Sequence, residues 1–190
     1  FTIYIAILGA IFLYRIPYGS NWFNQWIFDK FFVFQFMSVI TVGLAILGSR
    51  FNNLTFIRMG SRRKILGREL LGYYIQGWIW VTITFLFIGF GALLLEEVHV
   101  TSDLANWYFR YLLGVILFIN VMSCIKWSNL LIARKYAALI AFAWMALEML
   151  AIGPYLDANL LFSWIFHRGA ESYLWLSGFI LITTLLNIKL

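Results

Sequence analysis

Charge is scarce in this sequence: Asp, Glu, Lys and Arg make up 12% of its 190 residues, against about 25% in an average soluble domain. A chain that is also 63% hydrophobic cannot hide its apolar surface in one water-soluble core of this size. Cysteine occurs once, at Cys124, which excludes an intrachain disulfide framework and any multi-cysteine metal site. The histidines, His99 and His167, have neither the mutual spacing nor the cysteine partners of a zinc site. No Gly-rich loop ends in Lys-Ser or Lys-Thr, the arrangement that cradles phosphates, and no serine sits in a nucleophile elbow. The chain itself is therefore expected to carry no catalytic site, no metal and no cofactor. It opens at Phe1 inside an apolar run rather than at Met, so the native start is expected upstream.

What the sequence does have is long apolar runs, at 1–14, 31–48, 71–95, 107–125, 136–156 and 172–188. The stretch from Leu70 to Leu95 holds no charged side chain and, at about 1.5 Å rise per residue, is as long as a bilayer is thick. Membrane strands need segments of about ten residues with strict apolar and polar alternation, whereas these runs are continuously apolar. The expected fold is an all-α integral membrane protein, one six-helix transmembrane bundle over 1–190. Trp22, Trp26, Trp107, Trp127, Trp164 and Trp175 fall near the expected span ends, where indole rings favour the headgroup level. Leu160 to Phe166 is apolar again after Gly153-Pro154, so a short helix or a hairpin dipping back into the bilayer is expected in that loop.

Orientation follows from the basic residues. Arg50, Arg58, Arg62, Arg63, Lys64 and Arg68 lie in the loop at 49–70, Lys126, Arg134 and Lys135 near 126–135, and Lys189 at the end. The alternate loops hold Asp29, Glu96, Glu97, Asp103, Asp157 and Glu171. By the positive-inside rule the basic side is cytoplasmic, and both ends of this segment lie there. The net charge of +6 is thus a matter of topology and anionic lipid rather than of nucleic acid, which is not an expected partner.

Two features stand out as candidate sites. One is Arg58-Met59-Gly60-Ser61-Arg62-Arg63-Lys64, leading through Arg68 and Glu69 into the third span. With Leu66, Leu70 and Tyr73 at helical spacing, it is expected to form a short amphipathic helix on the membrane surface. Such a helix either anchors on lipid headgroups, at about 1 kcal/mol per basic residue, or docks a cytoplasmic partner. The other is Glu148, the one acid deep within an expected span. A lone carboxylate there costs roughly 2.5 kcal/mol or more and should face the bundle interior or a partner. Arg110 is the expected partner, and a polar contact to a cationic substrate and a structural hydrogen bond are both open.

Ile57-Arg58-Met59-Gly60-Ser61-Arg62 before an apolar span resembles the R-x-G-S-R segment of small ABC-2 type permease subunits, notably those of bacteriocin and lantibiotic export or immunity. Trp107-Tyr108-Phe109-Arg110-Tyr111-Leu112-Leu113-Gly114, followed by Lys126-Trp127-Ser128-Asn129, is similar to the fourth span and following loop of that group. The resemblance covers about 50–130. It implies a type V exporter-like permease in a bacterial plasma membrane that pairs with a second copy or a homologue. It also implies two cytoplasmic ABC ATPase subunits that bind ATP and Mg, and a coupling helix within Asn53 to Glu69 that carries Arg58, Gly60, Ser61, Arg62, Arg63, Lys64, Arg68 and Glu69. The expected substrate is amphipathic: an antimicrobial peptide, a lipid-like molecule or a drug. An intramembrane enzyme built around Glu148 and a non-transporting assembly subunit stay open beside it.

Overall fold

The computed structural model describes residues 36–43, 62–94, 101–128, 134–152, 160–165 and 170–189. The expected span 1–14, the loop residues Arg58, Gly60 and Ser61, and both histidines lie outside them. The described residues form helices and short turns, with no strand among them. The elements are α1 (Arg62–Leu94), α2 (Thr101–Ser128), α3 (Arg134–Leu147), a π-helical turn (Glu148–Ile152) that continues α3, a 3-10 turn (Ser163–Ile165) and α4 (Glu171–Lys189). A further helical stretch, residues 36–43, packs on α1 and α2: the Phe36 ring meets the edge of Tyr111 at 5.4 Å.

The composition of α1 explains both its length and its surroundings. No proline interrupts it, so the helix runs unbroken for 33 residues, about 50 Å at 1.5 Å per residue. It begins at Arg62 rather than at 71, so the last turns of the expected surface helix are the first turns of the membrane helix. Leu66, Glu69, Tyr73, Gly77, Val81 and Thr84 follow one another at helical spacing and are buried. Leu71, Ile75, Trp78 and Leu86 form the opposite face and are exposed, Leu86 by 67%. A helix apolar on every side needs an apolar solvent on its outer face. The same holds for α4, where Leu174 is 76% exposed.

Among the described residues, three helices are long and apolar enough to cross a membrane, over Lys64–Phe87, Leu104–Ser128 and Glu171–Lys189. Their ends carry charges that suit the helix dipole, Glu171 in the first turn and Lys189 in the last turn of α4, Lys126 in the last turn of α2. The fifth expected span, 136–156, corresponds to α3 and its π turn, of which the α-helical part is only 14 residues long.

Side-chain pairs fix the helix directions. Lys126 meets Glu69, Tyr74 meets Asn120, and Thr82 shares a hydrogen bond with Tyr108 at 3.0 Å, so α1 and α2 run antiparallel. Asn106 meets Tyr173 and Asn120 meets Thr184, so α2 and α4 run parallel. α2 sits between the others and is the most buried of the three membrane-length helices. The start of α1, the end of α2 and the end of α4 therefore share one end of the bundle, and the basic residues Lys64, Arg68, Lys126 and Lys189 go with them.

Close approach of α1 and α2 depends on Gly77. A Cβ there would lie 2.7 Å from Cγ1 of Val115 and 3.1 Å from Cδ1 of Ile119. Gly72, on the same helix, has nothing within 4 Å of its would-be Cβ. Both substitutions by Ala gain the same helix propensity, so their difference isolates packing. Gly77→Ala is expected to be less stable than Gly72→Ala by about 1–3 kcal/mol, measured by unfolding in mixed micelles; equal stability would mean that the two helices do not touch there.

Candidate functional site

The first candidate region is the basic end. Lys64 and Arg68 are exposed on the opening turns of α1, where Arg62 and Arg63 also stand, and Lys135 and Lys189 are exposed on α3 and α4. Glu69 differs from the expectation that it belongs to a partner-facing surface. It lies on the buried face of α1, with its side chain only 3% exposed, and its carboxylate takes a charge-assisted hydrogen bond from Nζ of Lys126. The hydroxyl of Tyr73, one turn along, donates to the same Oε1 at 2.6 Å. The reason is helical phase: position 69 shares a stripe with Leu66, Tyr73 and Gly77, which all face the bundle. Lys126 stretches its aliphatic stem along the bundle and also lies over the Trp127 ring, 5.1 Å from its centroid.

Further along the helices a polar seam joins α1, α2 and α4. The hydroxyl of Tyr74 donates to Oδ1 of Asn120. The amide nitrogen of Asn120 faces Thr184 Oγ1 at 2.9 Å, Thr183 Oγ1 at 3.2 Å and the carbonyl of Ile180 at 3.3 Å. Asn187 returns the contact, donating to the backbone oxygens of Asn120 and Thr183 at 3.1 and 3.0 Å. Cys124 completes the seam with a thiol contact to the Thr183 carbonyl at 3.5 Å, a packing role consistent with its being the lone cysteine. Membrane helices lack a hydrophobic drive toward one another, so hydrogen bonds of this kind, at about 0.6–2 kcal/mol each, specify which faces meet.

The second candidate region is Glu148. It is fully buried, and the wider π turn that it opens aims its carboxylate at the segment returning between α3 and α4. π turns of this kind recur at functional positions. Oε1 accepts from the backbone N–H of Phe162 at 2.6 Å, from that of Ser163 at 2.9 Å and from the Ser163 hydroxyl at 3.1 Å. Oε2 is buried and has no hydrogen-bond partner. The returning segment is driven into the bundle by Phe162 and Ile165, both buried, with the Phe162 ring 6.3 Å from that of Phe118. Gly114 makes room for it, since a Cβ there would come within 2.5 Å of Cδ1 of Ile165. The apolar run after Gly153-Pro154 thus reaches the middle of α2, within the described residues 160–165.

The expected pairing of Glu148 with Arg110 is not made. Arg110 is buried near the other end of α2 from Lys126. Its guanidinium carbon lies 5.4 Å from the Trp107 ring centroid and 5.2 Å from that of Tyr173, and its Nε donates to Oδ1 of Asn106 at 3.2 Å. The aromatic pair attracts the cation through its ring faces. Glu148 engages the segment that packs on Phe118, about two turns along α2 from Arg110, so the charges are held at different depths. Between α1 and α2, an open groove of about 330 Å³ is lined by Thr82, Phe85, Leu86, Leu104, Ala105 and Tyr108.

Sequence reasoning did not anticipate the Glu69–Lys126 pair or the Asn120 seam. The signals were there: a lone Asn inside the apolar run 107–125, and Thr183, Thr184 and Asn187 spaced to share one face of α4. What the described residues define is a helical fold in which three helices are long and apolar enough to cross a membrane. Compared with protein-family models, curated proteins and solved structures, the chain finds no match.

Glu148 supplies an acceptor to two backbone N–H groups, and a carbonyl serves them as well as a carboxylate. Glu148→Gln is therefore expected to keep the fold, whereas Glu148→Ala strands both donors and costs about 1–3 kcal/mol for each group left unpaired. Thermal unfolding of the two variants in detergent separates them; equal melting would show that the carboxylate does not hold the returning segment.

Proposed function

We propose that the chain is the transmembrane subunit of an ATP-driven transporter of the ABC-2 type, a six-span permease that moves an amphipathic substrate. The observation that carries this reading is the continuity of α1. Lys64 and Arg68 are exposed on the same uninterrupted helix that goes on to cross the membrane. A force applied to the basic end by a cytoplasmic partner is transmitted along a rigid rod, which a flexible loop would absorb. The resemblance of residues 57–62 to the R-x-G-S-R segment of ABC-2 permeases points to that partner's identity, a pair of ATPase subunits holding ATP and Mg.

The positions of the charges support the orientation. The ends of α1, α2 and α4 that bear Lys64, Arg68, Lys126 and Lys189 gather at one end of the bundle, which the positive-inside rule assigns to the cytoplasm of a bacterial cell. The exposed apolar faces of α3 and α4 offer room for a second permease copy or a homologue as well as for lipid. The bonding of Glu148 favours a structural over an enzymatic role, because the accepting oxygen is already engaged by three donors. The aromatic share of 20% and the open apolar groove between α1 and α2 suit an amphipathic substrate such as an antimicrobial peptide, a lipid-like molecule or a drug.

The test is purification of the solubilised protein from its native membrane, with mass spectrometry and an ATPase assay of what accompanies it. A stoichiometric ATPase with vanadate-sensitive turnover is expected. Replacing Arg62 and Arg63 by Glu, with the other basic residues of the loop kept to hold topology, is expected to lower ATPase association at least tenfold while leaving membrane insertion intact. A native preparation without a nucleotide-binding partner, or unchanged association of the charge-reversed protein, would defeat the reading.

A further inference from the structure

We infer that the Glu69–Lys126 pair locks the start of α1 to the end of α2, so that whatever displaces the basic end of α1 moves both helices as one body. The inference rests on the permease reading for the source of the displacement, and on geometry for the lock. Three features make the pair a lock rather than a surface ion pair. Its acid is almost wholly enclosed, with 3% of the side chain exposed, and its lysine is 22% exposed. Solvent screening, which reduces exposed pairs to little, is therefore largely removed. Tyr73 fixes the carboxylate from the same helix, so Oε1 takes two donors and Glu69 has little rotational freedom left. Finally, the pair is placed between the exposed cations Lys64 and Arg68 on one side and the deeper contacts of the two helices, Tyr74 with Asn120 and Gly77 with Val115, on the other.

Ile65, Leu66 and Leu70 also bury the opening turns of α1 in the core, but apolar contacts are non-directional, and the Glu69–Lys126 bond fixes the register in which these turns meet α2. Without it, a pull on Lys64 and Arg68 would let the helix end slip against α2 instead of shifting the bundle. With it, α2 follows from its last turn. Because α2 carries α4 through Asn120, the displacement reaches α4 as well. Glu69 is thus a positioning residue: it touches neither nucleotide nor substrate and acts by keeping two helices in register. Removing its charge leaves the basic surface intact and loosens what that surface is attached to.

The experiment places spin labels at Leu71→Cys and Ser128→Cys, both exposed in the native chain, in a Cys124→Ala background in lipid nanodiscs. The inter-label distance is read by pulsed electron resonance in the chain alone and in its complex with the partner ATPase, with and without ATP and vanadate. The native pair is expected to give one narrow distance in every state. Glu69→Gln, which keeps the shape and an acceptor for Tyr73, is expected to broaden the distribution at least twofold and to lower nucleotide-coupled transport at least tenfold while ATPase association stays unchanged. Lys126→Met should do the same, and the exchanged pair Glu69→Lys with Lys126→Glu should narrow the distribution again. A Glu69→Gln protein with the native distribution, or exchanged charges that fail to narrow it while the protein is folded, would overturn the lock. Absence of any ATPase from the native complex would overturn the permease reading and the transmitting role with it, while the distances in the chain alone still report on the pair.

Discussion

Within a bilayer no water is at hand to pair a polar group, and the structure is organised by that single constraint. A buried polar side chain there has to find its partner in protein, and several along α1, α2 and α4 find it on a different helix. Tyr74, Asn120, Thr183, Thr184 and Asn187 do so in the seam, Glu69 and Lys126 at the basic end, Asn106 and Tyr173 at the other. Apolar contact cannot choose among faces that are apolar all round. The polar pairs choose, and the depth of each pair sets the register of the helices that share it.

Steric fit then tightens what hydrogen bonding selects. Gly77 lets the side chains of Val115 and Ile119 enter the surface of α1, and Gly114 admits Ile165 of the returning segment into that of α2. Both notches lie on buried faces and both accept branched aliphatic chains, so the two contacts are shaped rather than merely greasy. Glu148 holds the second of them through a carboxylate that accepts from consecutive backbone N–H groups. Phe162 and Ile165 supply the apolar half of the same contact.

The helical character of the described residues and the membrane length of three of their helices were legible in the sequence because they depend on local quantities: the absence of charge between Leu70 and Leu95 and the runs without alternation. The grouping of basic residues at one end was legible for the same reason. The phase of a single residue within its helix was not. Glu69 reads as one more charge in a basic loop, and only the packing of α1 on α2 shows that it faces inward to Lys126. The pairing of Glu148 failed likewise, since its partners are backbone N–H groups, which every residue but proline has and no sequence pattern marks. Asn120 was the clearest overlooked signal, because an amide inside a run of Leu, Ile and Phe is costly unless it is shared.

The parallel course of α2 and α4 has a consequence for how the protein is made. Parallel neighbours cannot be joined by a tight turn, so α3 and the returning segment must be laid down between them first. Chains emerge from the ribosome N-terminus first, and Asn120 enters the membrane 63 and 64 residues before the threonines that will occupy its amide. Until then Tyr74 is its interhelical partner within the seam, and the far side of α2 is a site held open for a helix still to come. α4, made well after α2, is thus the keystone of the polar seam, and a chain cut short before it would leave an amide in lipid that quality-control proteases read as unfinished work.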